Sequence, residues 1–216
     1  MTKEEIKTLL SSFKQEDFYK GVDLHIHSTE SDGKMTPYEI VEQAKERGMR
    51  YIAIADHNSI DAYLSTNILK DDFVIPAVEF DCIYKGVFVH ILGYGINIDN
   101  RGIRNICAKN KYGTNHNICR LLELRNPKDV IDTIQMAGGV AVLAHPCCYW
   151  TPNLDKFIKE FTDMGIDGVE VYYRYHGLRK FVKFHSECIV SGIAEKYNLI
   201  KTGGTDSHGK SLMTLS

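Results

Sequence analysis

Val22-Asp23-Leu24-His25-Ile26-His27 alternates strictly, with the apolar residues facing one way and Asp23, His25 and His27 the other. That is the period of a half-buried β-strand. His-x-His on a strand sends both imidazoles to one face, about 7 Å apart along the backbone, so both can reach one cation. Four later runs end the same way. Tyr51–Ala55 stops at Asp56-His57, Phe73–Val78 at Glu79, Val140–Ala144 at His145, and Leu199–Gly204 runs into Asp206 and His208. A further run, Gly86–Leu92, carries His90. Any one of these is also what a strand looks like where it surfaces into a polar loop. The repetition is not, because charged groups at the ends of apolar strands are costly unless they are hydrogen-bonded or ligated.

Between the runs lie helical stretches. Residues 4–19 read as a surface helix with Ile6, Leu9, Leu10 and Phe13 on one side. Thr36-Pro37-Tyr38-Glu39 is a helix start, with Thr36 as cap, Pro37 at the first helical position and Glu39 closing a capping box. Asn126-Pro127 opens a helix to about Met136, which Gly138-Gly139 stops, and 154–164 and 178–197 read as two more. The βαβα alternation predicts an α/β fold with parallel strands. Ligand-type residues at successive strand ends favour a barrel, because such ends converge on one face. The expected organisation is an N-terminal helix over 1–20 and one barrel domain over 21–216, with a short irregular insertion at about 97–126.

Composition sets the outer limits. At 216 residues, 44% hydrophobic and 25% charged, the chain suits one domain with a sizeable core. The formal charge of −2 supplies no bulk basic field for nucleic acid, although a local patch could bind it. No apolar run reaches the roughly 20 residues that span a bilayer. With a polar, acidic N-terminal stretch, a cytoplasmic location is the expectation. The six cysteines show no CxxC spacing and read as reduced thiols, leaving imidazoles and carboxylates as the donor set. Such a set suits Mn, Fe, Zn or Co rather than a structural zinc knot. Neither a P-loop nor a dinucleotide fingerprint competes with it.

The motifs Val-Asp-Leu-His25-Ile-His27-Ser, Ser-Asp32-Gly, Ile-Ala-Asp56-His57, Glu79, His90-Ile-Leu-Gly-Tyr-Gly, Leu-Ala-His145-Pro, Gly-Val-Glu170-Val-Tyr-Tyr and Gly-Gly-Thr-Asp206-Ser-His208-Gly resemble the PHP (polymerase and histidinol phosphatase) family over about residues 21–209. The TrpH-like stand-alone phosphoesterases are the most similar branch. The resemblance implies a distorted (β/α)7 barrel with two or three divalent ions. His25, His27, Glu79 and Asp206 would hold the first ion. Glu79 would bridge to a second on His90 and His145, and Asp32, His57 and His208 would hold a third. Asp56 would orient a ligand from behind.

The implied chemistry is attack of a metal-activated hydroxide on a small phosphomonoester, a nucleotide or nucleoside 3′,5′-bisphosphate. A histidinol-phosphate-type phosphatase, an exonuclease on short RNA or DNA, and a metal-binding interaction module without turnover stand as alternatives. Relatives carry a helical insertion that covers the site, and the stretch 97–126 resembles a shortened form of it. His116 and Arg120 there, and Arg174 and His176 after Tyr172-Tyr173, are the candidate phosphate contacts.

Overall fold

The structure, a computed structural model, describes residues 1–115, 120, 124–173 and 186–215. Among these, seven strands form one curled sheet in the order β1 to β7: Val22–Ile26, Tyr51–Ile54, Val74–Tyr84, Val87–Tyr94, Val140–Leu143, Gly168–Tyr172 and Ile200–Gly203. A parallel bridge between Ile26 and Ser207 joins the first strand to the segment just past the last. His27 N donates to Ser207 O at 3.0 Å in that seam. Gly204 makes the closure possible, since a Cβ there would lie 2.3 Å from His25 Cβ and 2.5 Å from His25 N. The fold is thus the α/β barrel expected, with one departure. β4 runs antiparallel to both β3 and β5. Lys85 and Gly86 both take positive φ, +50° and +79°. That is the two-residue turn whose twist matches a tight hairpin, so no crossover helix separates β3 from β4.

The hairpin changes where two candidate ligands sit. β3 continues to Tyr84 and pairs along its length with β4, Glu79 opposite Leu92 and Asp81 opposite His90. Glu79 and His90 are therefore mid-strand residues of the barrel wall, not residues past a strand end. The sequence reads as though β3 stops at Glu79 because the apolar run stops there. In fact only the inward face turns polar, while Phe80 and Cys82 on the outward face stay buried.

Helices cover the outside. α1 (Lys3–Ser12) and α2 (Gln15–Lys20) precede β1 and α3 (Pro37–Glu46) follows it. α4 (Asp61–Leu64) lies between β2 and β3, and α5 (Arg101–Ile106), α6 (Tyr112–Asn115) and α7 (Pro127–Met136) lie between β4 and β5. α8 (Leu154–Asp163) and α9 (Glu187–Lys196) flank β6. The capping box of α3 and the Asn126-Pro127 start of α7 form as the sequence dictates. The expected 178–197 helix is shorter than read: α9 begins at Glu187, where Ser186 takes extended backbone and caps it by accepting from Ile189 N, and residues 178–185 lie outside the described residues. The described cysteines are free thiols. No helix among the described residues is long and apolar enough to cross a membrane.

Residues 4–19 are two helices rather than one, broken at Phe13, and α1 is more than a surface helix. Ile6 and Leu10 are fully buried and pack with the inward-facing Ala53, Ile75, Ala77, Leu92, Tyr94, Val140 and Val142. Lys3 and Lys7 pair with Asp167, just before β6, at 3.4 and 2.8 Å. α1 therefore closes the end of the barrel opposite the polar side chains. Ile6→Ala should lower the free energy of unfolding in urea by about 2–5 kcal/mol, as for other large-to-small core changes. A change within about 0.5 kcal/mol would place α1 on the surface after all.

Candidate metal centre

The inward faces that carry apolar residues at one end of the barrel carry His25, His27, Glu79, Asp81, His90 and His145 toward the other. Glu79 is the centre of the cluster. Its carboxylate lies within 3.4 Å of five imidazoles: His25 Nε2 and His27 Nε2 at 3.4 Å, His57 Nδ1 at 3.0 Å, His90 Nδ1 at 2.9 Å and His145 Nε2 at 3.2 Å. Asp206 Oδ1 completes one side, 3.1 Å from His27 Nε2 and 3.5 Å from His25 Nε2. Asp32 and His208 form the outer side, with Oδ1 3.1 Å from Nε2. His57 Nε2 reaches the other Asp32 oxygen at 3.8 Å.

All nine sequence-predicted ligands thus meet in one cup. Three subsets have donor atoms close enough to share an ion: His25-His27-Asp206, His57-Glu79-His90, and His27-Asp32-His57-His208. The polar atoms left over test whether ions fit. Among the described residues, His25 Nε2, His27 Nε2, Glu79 Oε2 and His90 Nε2 are buried without a hydrogen-bond partner. Buried polar atoms are almost always paired, so a cluster of lone pairs aimed at a common space is what a cation would satisfy.

Further residues, to which the sequence reading gave no role or only a looser one, hold the candidate ligands in place. Glu170, fully buried, lies 3.0 Å from His25 Nδ1 through one oxygen and accepts from His145 N at 2.9 Å through the other. The first contact fixes the His25 tautomer that leaves Nε2 bare toward the cup. Tyr173 donates its hydroxyl to Asp206 Oδ2 at 2.7 Å. Asp23 accepts from Thr205 N and Oγ1 at 2.9 and 2.6 Å, pinning the loop that carries Asp206. Asp56 accepts from Ser28 N, Ser28 Oγ and Ser31 Oγ, so its hold is on the loop that carries Asp32. His145 and Asp206 adopt φ of +24° and +51°. Non-glycine residues take such values where the surrounding structure over-determines them, as at functional sites.

Asp81 was missed as well, although Glu79-x-Asp81 repeats the alternation of His25-x-His27. It is fully buried and holds Arg120 through both oxygens, Nε and a terminal nitrogen each donating at 2.7 Å. Arg120, a candidate phosphate contact in the sequence, is thereby brought into the cup. It also donates to Asp32 Oδ2 at 3.2 Å and lies 2.7 Å from His57 Nδ1. His116, Arg174 and His176 lie outside the described residues.

Charge within the cup is balanced by the carboxylates. Burial disfavours the His27 imidazolium, but Asp206 and Glu79 outweigh it and hold the pKa up to about 10. Burial likewise opposes the charged forms of His25 and His145. Glu170, Glu79 and Asp206 around His25, and Cys148 and Glu79 around His145, raise both well above the ordinary value. Burial lowers His57 to about 4. At pH 7.5 His27 therefore carries a proton that a cation must displace, whereas His57 is already neutral. Binding of Mn²⁺ at pH 7.5 should release more than one proton per chain. Affinity should rise with pH until His27 deprotonates by itself near 10. Calorimetry in buffers of different ionisation enthalpy measures the release, and binding with none would contradict these protonation states.

A family model described as PHP domain matches residues 23–201. The chain is 24% identical to a phosphoribosyl 1,2-cyclic phosphate 1,2-diphosphodiesterase of Eggerthella lenta, across 87% of this chain and 94% of that protein. It is 24% identical to a 5′-3′ exoribonuclease of Haemophilus influenzae, across 70% and 79%. It is 22% identical to a 3′,5′-nucleoside bisphosphate phosphatase of Chromobacterium violaceum, across 87% of each. A solved structure from Bifidobacterium adolescentis, described as a candidate metal-dependent phosphoesterase, superposes with a TM-score of 0.71 at 22% identity over 90% of each chain, a likeness of fold.

Proposed function

Since the chain belongs to the PHP domain family and is a metal-dependent phosphoesterase, we propose that it hydrolyses a small phosphomonoester, a nucleotide or nucleoside 3′,5′-bisphosphate. The observation that carries this reading is the set of bare, buried donor atoms around Glu79. His25, His27, Glu79 and Asp206 would hold one divalent ion and Glu79, His90 and His145 a second. Asp32, His57 and His208 would form the third position. Bound there, Mn, Fe or Zn would supply Lewis acidity to the phosphoryl oxygens and acidify a water.

The protein's own groups do the rest. Glu170 and Tyr173 fix the His25 tautomer and the Asp206 carboxylate before substrate arrives, so little reorganisation is left for the reaction itself. The floor of the cup is closed off from bulk solvent, with His25 and His27 fully buried. Its rim is open where Asp32, Asp206 and His208 are partly exposed, with side-chain exposures of 24%, 20% and 36%. A phosphoryl group entering there meets the ligand set from the solvent side. The ester's organic portion would remain at the rim, which suits a small substrate. The net charge of −2 disfavours a long polyanion. A short RNA end remains the second reading, supported by the exoribonuclease relative.

Phosphate release from a panel of chromogenic phosphomonoester, 5′-nucleotides, 3′,5′-bisphosphates and 5′-phosphorylated short RNA, with Mn²⁺ and with chelator, separates these readings. The expected result is chelator-sensitive release, fastest from a bisphosphate or mononucleotide. Preference for the RNA would favour the second reading. No release from any of them would leave a metal-binding module without turnover.

A further inference from the structure

Arg120 is nearly buried, and four of its five N–H bonds are already committed: two to Asp81, one to Asp32 Oδ2 and one toward His57 Nδ1. Asp32 and His57 belong to the outer ligand group, the third cation position. Among the described residues Arg120 makes no hydrogen bond to His25, His27, Glu79, His90, His145 or Asp206, which make up the other two positions. A guanidinium does not lose its proton inside a protein, so this is a permanent positive charge. Asp81 explains why it stays there. The carboxylate is fully buried, 3.3 Å from His57 Nδ1 and 3.2 Å from His90 Nε2, and Asn58 Nδ2 donates to it at 2.5 Å. No ligand position needs Asp81, and without Arg120 it would be a further buried negative charge beside Glu79.

We propose that Arg120, held by Asp81, serves as a built-in cation at the Asp32-His57-His208 position, so that this centre takes two metal ions rather than three. A divalent ion on Asp32 would have to share that carboxylate with a fixed guanidinium and sit beside a like charge within a few ångströms. Arg120 also reaches His57 Nδ1, which stands 3.0 Å from Glu79, but it donates to neither carboxylate of the two positions that share Glu79, so only Asp32 must be divided between the guanidinium and an ion. The one N–H of Arg120 left uncommitted among the described residues is the donor it can offer to a phosphoryl oxygen, replacing part of the charge that a third ion would bring. This inference rests on the metal-centre reading above and concerns its stoichiometry, so its failure is separable from failure of the phosphatase reading.

The test is metal content per chain by plasma mass spectrometry, after loading with excess Mn²⁺ or Zn²⁺ and removal of free ions. The variants are Arg120→Lys, Arg120→Met and the double variant Arg120→Met with Asp81→Ser. The double variant leaves no unpaired buried charge and so covers the case in which Arg120→Met alone does not fold. Wild type and Arg120→Lys should hold two ions. Whichever methionine variants fold should hold three, with the third ion detected as an added binding step in calorimetry. Three ions in wild type would overturn the proposal, as would two in a folded methionine variant. Fewer than two in wild type would remove the metal centre itself and this inference with it, whereas loss of phosphatase activity alone, with the stoichiometry as expected, would leave it standing.

Discussion

A carboxylate in the middle of a protein is expensive, and this fold is arranged around one. Glu79 is 1% exposed. Burial alone would push its proton affinity up. The surrounding imidazoles, led by His90, His57 and His25, instead hold its pKa well below the ordinary value. Each partner arrives on a different part of the barrel: β1 for His25 and His27, the segments after β2 and β5 for His57 and His145, and β4 for His90. Packing helices outside the sheet and plugging its far end with α1 gives these elements fixed positions. The resulting cup is a concentration of charge that water cannot screen, where cations or protons must satisfy the lone pairs.

Much of this was legible because local rules carry it. The capping box at Thr36, the Asn126-Pro127 start and the two-residue alternation of β1 are determined within a few neighbouring residues. They form as read. The residues that gather in the cup were legible for a different reason: polar groups interrupt apolar runs at a repeated place. What failed was non-local. The antiparallel course of β4 depends on a turn at Lys85-Gly86 whose meaning is clear only once both strands are known to pair. The plug role of Ile6 and Leu10 depends on an open barrel end that no helical periodicity reveals. Asp81 was passed over, and Glu170 was quoted in a motif but given no role, because each lies inside a strand whose other face is apolar, so neither marks an end. The alternation that identified His25 and His27 would have found Asp81.

Supporting contacts show how rigidity and strain are distributed. Asp23, Asp56 and Glu170 are buried carboxylates whose hydrogen bonds go largely to backbone N–H groups and hydroxyls of the loops bearing ligands. Among the described residues, two of the five non-glycine residues with positive φ, His145 and Asp206, are candidate ligands. This is the division expected of a preorganised site, in which stability is given up locally and recovered in the surrounding shell. Arg120 belongs to the same economy of charge, because it neutralises carboxylates permanently where imidazoles do so only when protonated.

The central claim is that Glu79 is shared between cations. Diffraction from crystals soaked in Mn²⁺, recorded where manganese scatters anomalously, tests it most directly. The account predicts two peaks flanking the Glu79 carboxylate, one among His25, His27 and Asp206 and one beside His90 and His145. A single peak, or peaks that leave Glu79 uncoordinated, would contradict it.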